Sequence, residues 1–253
     1  MKKFLPPLLS AMLLFGGCAL LPEKRPAGKP LRRIVCFGDS ITAAGDFAYE
    51  LQLYLSCKYP GARIEVFNAG VPGDTARVGA LRMARQVMTL TPDLVIVGFG
   101  MNDVGRQLYY TRFPENSADA KARAICAENY RKNLSTIVRS LWENNVRVVV
   151  LKPFPYDENG ARPAPDDKIA FCNSVGLAHL AFLCETDYRD RVPMPSTREA
   201  LERLYAEHPE LAIAPDRIHP DRRGHWVVAD EIVSTLFSGE ASRSQLPFPL
   251  TPE

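Results

Sequence analysis

Ile34-Val35-Cys36-Phe37, followed at once by Gly38-Asp39-Ser40-Ile41-Thr42, is the stretch on which the reading of this chain turns. A short continuous apolar run of this kind is typical of a strand buried on both faces. The residues after it are helix-like, so Ser40 stands at the C-terminal tip of a first strand. Ligands of open parallel sheets bind in the crevice outside the carboxyl ends of the strands, which places a serine there for chemistry. The triplet alone keeps a second reading: Gly-Asp-Ser is ordinary turn chemistry, and Asp or Ser is an ordinary helix N-cap.

Working outward, apolar runs alternate with helix-like stretches. The strand candidates are Arg33 to Phe37, Arg63 to Asn68, Leu94 to Phe99, Val146 to Leu151 and His179 to Cys184. Between them lie helical stretches over Asp46 to Tyr59, Thr75 to Leu90, Lys121 to Asn144 and Asp166 to Ala178. In the long one, Tyr130, Leu134, Ile137, Val138 and Leu141 recur at spacings of three and four, which marks one buried face. Two more helices are expected over Ser196 to His208 and Asp221 to Phe237. Strands alternating with helices imply parallel pairing through crossovers, hence an α/β sandwich of three layers. There is no internal repeat, and the expected organisation is a single domain over 31–240 with a Pro-rich tail over 241–253.

The first residues have a different character. Lys2 and Lys3 precede the apolar stretch Leu8 to Phe15, then Gly16, Gly17 and Cys18, the layout of a secretory signal over 1–17. The apolar run falls short of the roughly 20 residues a membrane span needs. Small residues directly before a cysteine resemble a bacterial lipoprotein signal, with Phe15 where that family usually has Leu. That resemblance implies lipidation of Cys18, a tether over 18–30 and a place in the cell envelope, with Ala19 favouring the outer membrane. An ordinary cleaved signal, giving a soluble periplasmic or secreted protein, is the other reading.

Removing residues 1–17 deletes two lysines and leaves 29 basic against 29 acidic residues. A nucleic-acid partner is therefore not expected, because phosphate binding needs a basic surplus on one face. Cys36, Cys57, Cys126, Cys172 and Cys184 remain besides Cys18, an odd number that cannot all pair within one chain. Cys36 reads as a small apolar core residue. No Cys or His cluster has metal-ligand spacing, so neither a metal nor a cofactor is expected.

Further polar motifs fall at matching strand tips. After the second strand comes Asn68-Ala-Gly-Val-Pro-Gly73-Asp-Thr, where Gly73 lets the backbone approach a ligand and aim its amide N–H at developing negative charge. After the third comes Gly100-Met-Asn102-Asp103, with a side-chain amide donor in Asn102. Neither forms a Walker sequence or a full Gly-x-Gly-x-x-Gly fingerprint. Near the C-terminus, Asp216-Arg-Ile-His219-Pro220 leads into the last helix. The residue before a proline is pushed out of the helical region, so His219 belongs to the entering loop. A neutral serine hydroxyl is a weak nucleophile. An imidazole supplies general-base help, and a carboxylate fixes the imidazole tautomer. Asp216 and His219 also have the plainer reading of turn residues capping the final helix. His179 and His208 read as packing or surface residues, and His225 as part of the helix.

The four blocks Gly38-Asp39-Ser40, Gly73, Gly100-Met-Asn102-Asp103 and Asp216-Arg-Ile-His219-Pro resemble, in order, those of the SGNH superfamily of GDSL-type esterases and lipases. The resemblance implies a flavodoxin-like fold with five parallel strands in order 2-1-3-4-5. It also implies Ser40 as nucleophile, His219 as general base and Asp216 as its orienting acid. The N–H groups of Ser40 and Gly73 and the Asn102 side chain would form the oxyanion hole. The implied activity is hydrolysis of carboxylic esters through an acyl-enzyme.

For the substrate, the segments that decide are Lys152 to Pro165 and the insertion after Asn102, where Arg106, Tyr109, Tyr110 and Phe113 are candidate substrate contacts. No long apolar lid is visible near the site, which favours an ester on carbohydrate, such as an acetylated glycan. A lysophospholipase or short-chain esterase or thioesterase is the enzymatic alternative, and a catalytically silent, lipid-anchored glycan-binding protein the alternative of another class.

Overall fold

The computed structural model describes residues 30–109, 118–158 and 171–237. The expected signal, Cys18 and its tether up to residue 29, Tyr110, Phe113 and the C-terminal tail lie outside them.

Four strands, β1 (Arg33–Gly38), β2 (Glu65–Asn68), β3 (Leu94–Gly98) and β4 (Arg147–Val150), form one parallel sheet in the order β2-β1-β3-β4. β1 and β3 are the most deeply buried, and Ile34 to Phe37 and Val95 to Val97 give up essentially all their exposure. β1 is paired on both sides, with β2 and with β3. The chain leaves it first to one side and then crosses to the other, so the loops after these strands diverge. The crevice between them is where a ligand enters such a sheet.

Helices α1 (Ser40–Ala44), α2 (Asp46–Lys58), α3 (Ala76–Gln86), α4 (Ala118–Glu143), α5 (Ala178–Tyr188), α6 (Thr197–Glu207) and α7 (Arg222–Leu236) complete the layers. α2 packs with α7, and α3 with α4, which also meets α5. His225 is a member of α7. It stacks on Phe47 of α2 with ring centroids 5.9 Å apart, and burial holds its imidazole below the ordinary value.

The fifth strand expected at His179 to Cys184 is not formed; of the helix expected over Asp166 to Ala178, residues 166–170 lie outside the described residues. Cys172–Leu177 is a π-helical turn that runs straight into α5. The reason lies in which residues are buried. Leu180, Ala181, Cys184 and Tyr188 face the core while Phe182 is 63% exposed. A strand would put residues 180, 182 and 184 on one face; a helix separates them in this way. Beside β4, the segment Val192-Pro193-Met194-Pro195 takes the outer position, with Val150 N–H donating to the Pro193 carbonyl at 3.2 Å. Its two prolines have no N–H to continue a ladder.

Among the described residues no helix is long and apolar enough to cross a membrane. The five described cysteines are all free thiols. Cys36, Cys172 and Cys184 are buried, and burial pushes each up to about 12.

Candidate active site

Asp39 follows β1 and caps α1, its carboxylate accepting the Ile41 N–H at 3.0 Å, so Ser40 begins the helix at the mouth of the crevice. Burial pushes the Asp39 carboxyl up to about 6, opposed by that backbone bond and by the charges of His219 and Arg106.

His219 reaches this point from the far end of the sequence. Its Nε2 lies 2.7 Å from Ser40 Oγ, and its Nδ1 lies 2.5 Å from Asp216 Oδ2. A carboxylate only accepts, so the hydrogen between them sits on Nδ1, which leaves the Nε2 lone pair facing the serine hydroxyl. Asp216 Oδ1 accepts the backbone N–H groups of Ile218 at 2.9 Å and His219 at 2.7 Å, an Asx turn that fixes the carboxylate's orientation. Burial pulls the Asp216 carboxyl up, but the backbone and ring bonds prevail and hold it below the ordinary carboxylate value. Arg217, inside the turn, takes φ +67°. Its carbonyl accepts the Asp157 N–H at 2.9 Å and its Nη1 donates to the Glu158 carbonyl at 2.8 Å, which ties the turn to the loop after β4. Asp221, two residues beyond His219, caps α7 by accepting from Arg223 and Gly224.

The expected donors Gly73 and Asn102 lie in the loops after β2 and β3. Gly73 has φ +82°, and a Cβ built there would meet nothing within 4 Å, so the space above its backbone is open. Gly70 has the reverse requirement. A Cβ there would lie 2.2 Å from the Ala43 backbone nitrogen, so only glycine lets the loop after β2 close on α1. Asn102, in the turn after β3, donates one Nδ2 hydrogen to the Asp74 carbonyl at 2.9 Å. Its second amide hydrogen remains for a ligand.

Two buried carboxylates near the site had no reading in the sequence. Asp103 accepts the Ala76 N–H at the start of α3 through both oxygens, at 2.9 and 3.1 Å, and burial pushes it up to about 7. Asp74 pairs with Arg82 at 2.5 Å. The only advance signal was an arginine placed one residue from Met83 on the buried face of α3.

Of the candidate substrate contacts, Arg106 is half-buried, its Nη1 3.5 Å from the Met101 carbonyl and its charge felt by Asp39 and Tyr156. Tyr109 is 5% exposed. It is buried against Gly176 and Val104, with the Arg123 guanidinium 5.5 Å from its ring centre, and burial raises its hydroxyl to about 12. Among the described residues no group of three or more His, Cys, Asp or Glu could hold a metal ion.

Residues 36–227 match the family described as GDSL-like lipase/acylhydrolase. The chain belongs to this family. Within it, the chain is a carboxylic ester hydrolase of the SGNH type. An acetylxylan esterase of Geobacillus stearothermophilus is 26% identical over 213 residues, which cover 78% of this chain and 90% of that one. A crystal structure of a catalytic mutant of an acetylxylan esterase from the same organism superposes with TM-score 0.61 over 83% of this chain and 95% of that one, at 21% identity. A gut microbial diltiazem-metabolizing enzyme gives TM-score 0.68 at 27% identity over 83% of this chain. The chain spans 47% of that protein's length. The parallel α/β sheet, in the order 2-1-3-4, fits the SGNH hydrolases.

Proposed function

We propose that this esterase works by a Ser-His-Asp mechanism through an acyl-enzyme and removes acyl groups, acetyl foremost, from carbohydrate. The observation that carries the mechanism is the unbroken chain from Ser40 Oγ through His219 to Asp216, 2.7 Å and 2.5 Å long at its two links. Ser40 Oγ attacks the ester carbonyl while His219 Nε2 takes its proton. The carbonyl oxygen, now negative, is received by the N–H groups of Ser40 and Gly73 and by Asn102 Nδ2. His219 returns the proton to the departing alcohol. Water then repeats the cycle on the acyl-Ser40 ester, releasing the acid and restoring the hydroxyl. Asp216 stabilises the imidazolium formed in each half.

The acetylxylan esterase relative supports the choice of substrate class, and Arg106, half-buried beside the crevice, is proposed to contact the alcohol portion. We propose further that Cys18 carries the lipid anchor that holds the domain at the bacterial envelope.

The deciding experiment compares wild type with Ser40→Ala on a chromogenic acetyl ester, on acetylated xylan and on lysophospholipid. Acetate release from the polysaccharide, abolished in Ser40→Ala, is the expected result. Fatty-acid release from lysophospholipid in its place would overturn the substrate class, and undiminished hydrolysis by Ser40→Ala would overturn the mechanism. Retention of a Cys18→Ser variant in the membrane fraction would overturn the anchor.

A further inference from the structure

Arg82 lies on α3, apart from the Ser40, His219 and Asp216 chain, with only 10% of its side chain exposed. Its Nε donates to Asp74 Oδ2 at 2.5 Å, its Nη1 to the Ala69 carbonyl at 2.8 Å and its Nη2 to the Gly38 carbonyl at 2.9 Å. Nη1 also reaches Gln86 Oε1 at 3.0 Å, and the guanidinium carbon sits 4.6 Å from the centre of the Phe37 ring.

These partners lie at the tip of β1 and along the loop after β2, which the Val71 N–H also joins through the Gly38 carbonyl at 3.0 Å. Gly38 closes β1 two residues before Ser40, Ala69 begins the turn that leaves β2, and Asp74 follows Gly73. One further bond completes the set: the Asp74 carbonyl accepts Asn102 Nδ2 at 2.9 Å. One guanidinium therefore links all three segments that offer N–H donors to an oxyanion, directly for Ser40 and Gly73 and through Asp74 for Asn102.

Resting on the esterase reading above, we propose that Arg82 is a positioning residue for the oxyanion hole, fixing its three donors relative to one another. Such donors help only if they are aimed before charge develops. Arginine suits the task because its planar fork presents five N–H donors in fixed directions, so it can hold a carboxylate and two carbonyls together. Lysine, a compact point charge, can keep the Asp74 pair but cannot span Gly38 and Ala69 as well.

The test uses the full mature chain and the variants Arg82→Lys and Asp74→Asn, each alone and combined with Asn102→Ala. Turnover of p-nitrophenyl acetate is normalised to the sites labelled by a fluorophosphonate, and the rate of that labelling is measured too, since its phosphoryl oxygen occupies the same hole. Asp74→Asn keeps the side-chain shape and serves should Arg82→Lys not fold. The expected result is a fall of about tenfold or more in kcat per labelled site with KM little changed, a matching fall in labelling rate, and a clearly smaller further loss once Asn102 is already Ala, when only the Ser40 and Gly73 donors remain to be positioned. A residue that merely supports the fold would lower the number of labelled sites and multiply its loss with that of Asn102→Ala. Unchanged turnover per labelled site, or losses that multiply, overturns the inference while leaving the esterase reading standing. Wild type that neither hydrolyses nor labels overturns both.

Discussion

Replacing Asp216 with Asn tests the site at its most informative atom. Asp216 Oδ1 accepts two backbone N–H groups, at 2.9 and 2.7 Å, while Oδ2 meets His219 Nδ1 at 2.5 Å. An asparagine must choose which way to turn its amide. Pointing the NH2 at the backbone would sacrifice two hydrogen bonds, each worth about 0.5–1.5 kcal/mol, and set donors against donors. The amide oxygen therefore stays with Ile218 and His219, and the NH2 faces Nδ1. Nδ1 is then forced to accept, the ring hydrogen moves to Nε2, and Nε2 can no longer take the Ser40 proton. A wrong tautomer with intact geometry costs roughly 10⁴ in kcat in triads of this kind, or about 5.5 kcal/mol of barrier. The fold should be nearly unaffected, because both backbone bonds survive. Initial rates on a chromogenic acetyl ester, with a thermal melt alongside, measure both. Turnover within about tenfold of wild type would refute the tautomer argument.

On the proposed mechanism Asn102→Ala removes one oxyanion donor, which typically costs roughly 2.7–4 kcal/mol in turnover, and near-normal hydrolysis would take Asn102 out of the hole. Gly73→Ala places a methyl in open space at φ +82°, so stability should fall by only about 1–2 kcal/mol while kcat/KM falls far more; thermal melts and kinetics that move together would contradict this. Asp103→Asn addresses pH. Burial raises the carboxyl from 3.8 to about 7, so the folded chain holds a proton there that the unfolded chain has lost. Its contribution is full below about pH 4 and drains away as pH rises towards 7, at up to about 1.4 kcal/mol per pH unit. Asn cannot ionise and keeps an oxygen for Ala76 N–H, so denaturant titrations at pH 4, 5.5 and 7 should show the variant gaining on wild type as pH rises. A constant difference between the two would reject the shift.

Strands β1, β3 and β4 were legible because each is a short apolar run with turn residues behind it, and buried parallel strands leave that trace. The meeting of Ser40 with His219 was legible from Pro220, which keeps the histidine out of the helix. His179 to Cys184 misled because so short an apolar run carries no period of its own, and only the burial of Leu180 and Ala181 beside an exposed Phe182 separates helix from strand. The burial of Tyr109 could not be read in advance either, because an aromatic residue in a long loop is as useful under the loop as at a ligand. The links from Arg82 to Asp74, Ala69 and Gly38 span eight to 44 residues, and two of them end on carbonyl oxygens that every residue possesses. No pattern of side-chain types announces such bonds.

The proline-bearing segment beside β4 also decides what the sheet can do with other molecules. An uncovered margin of a parallel sheet invites a foreign strand to dock and lengthen it, a common start of aggregation. Here the berth beside Val150 is taken by Val192 to Pro195, whose Pro193 carbonyl holds the Val150 N–H, so a newcomer would first have to displace this segment. A covering loop of this kind is one way a sheet edge is kept from pairing with a second molecule.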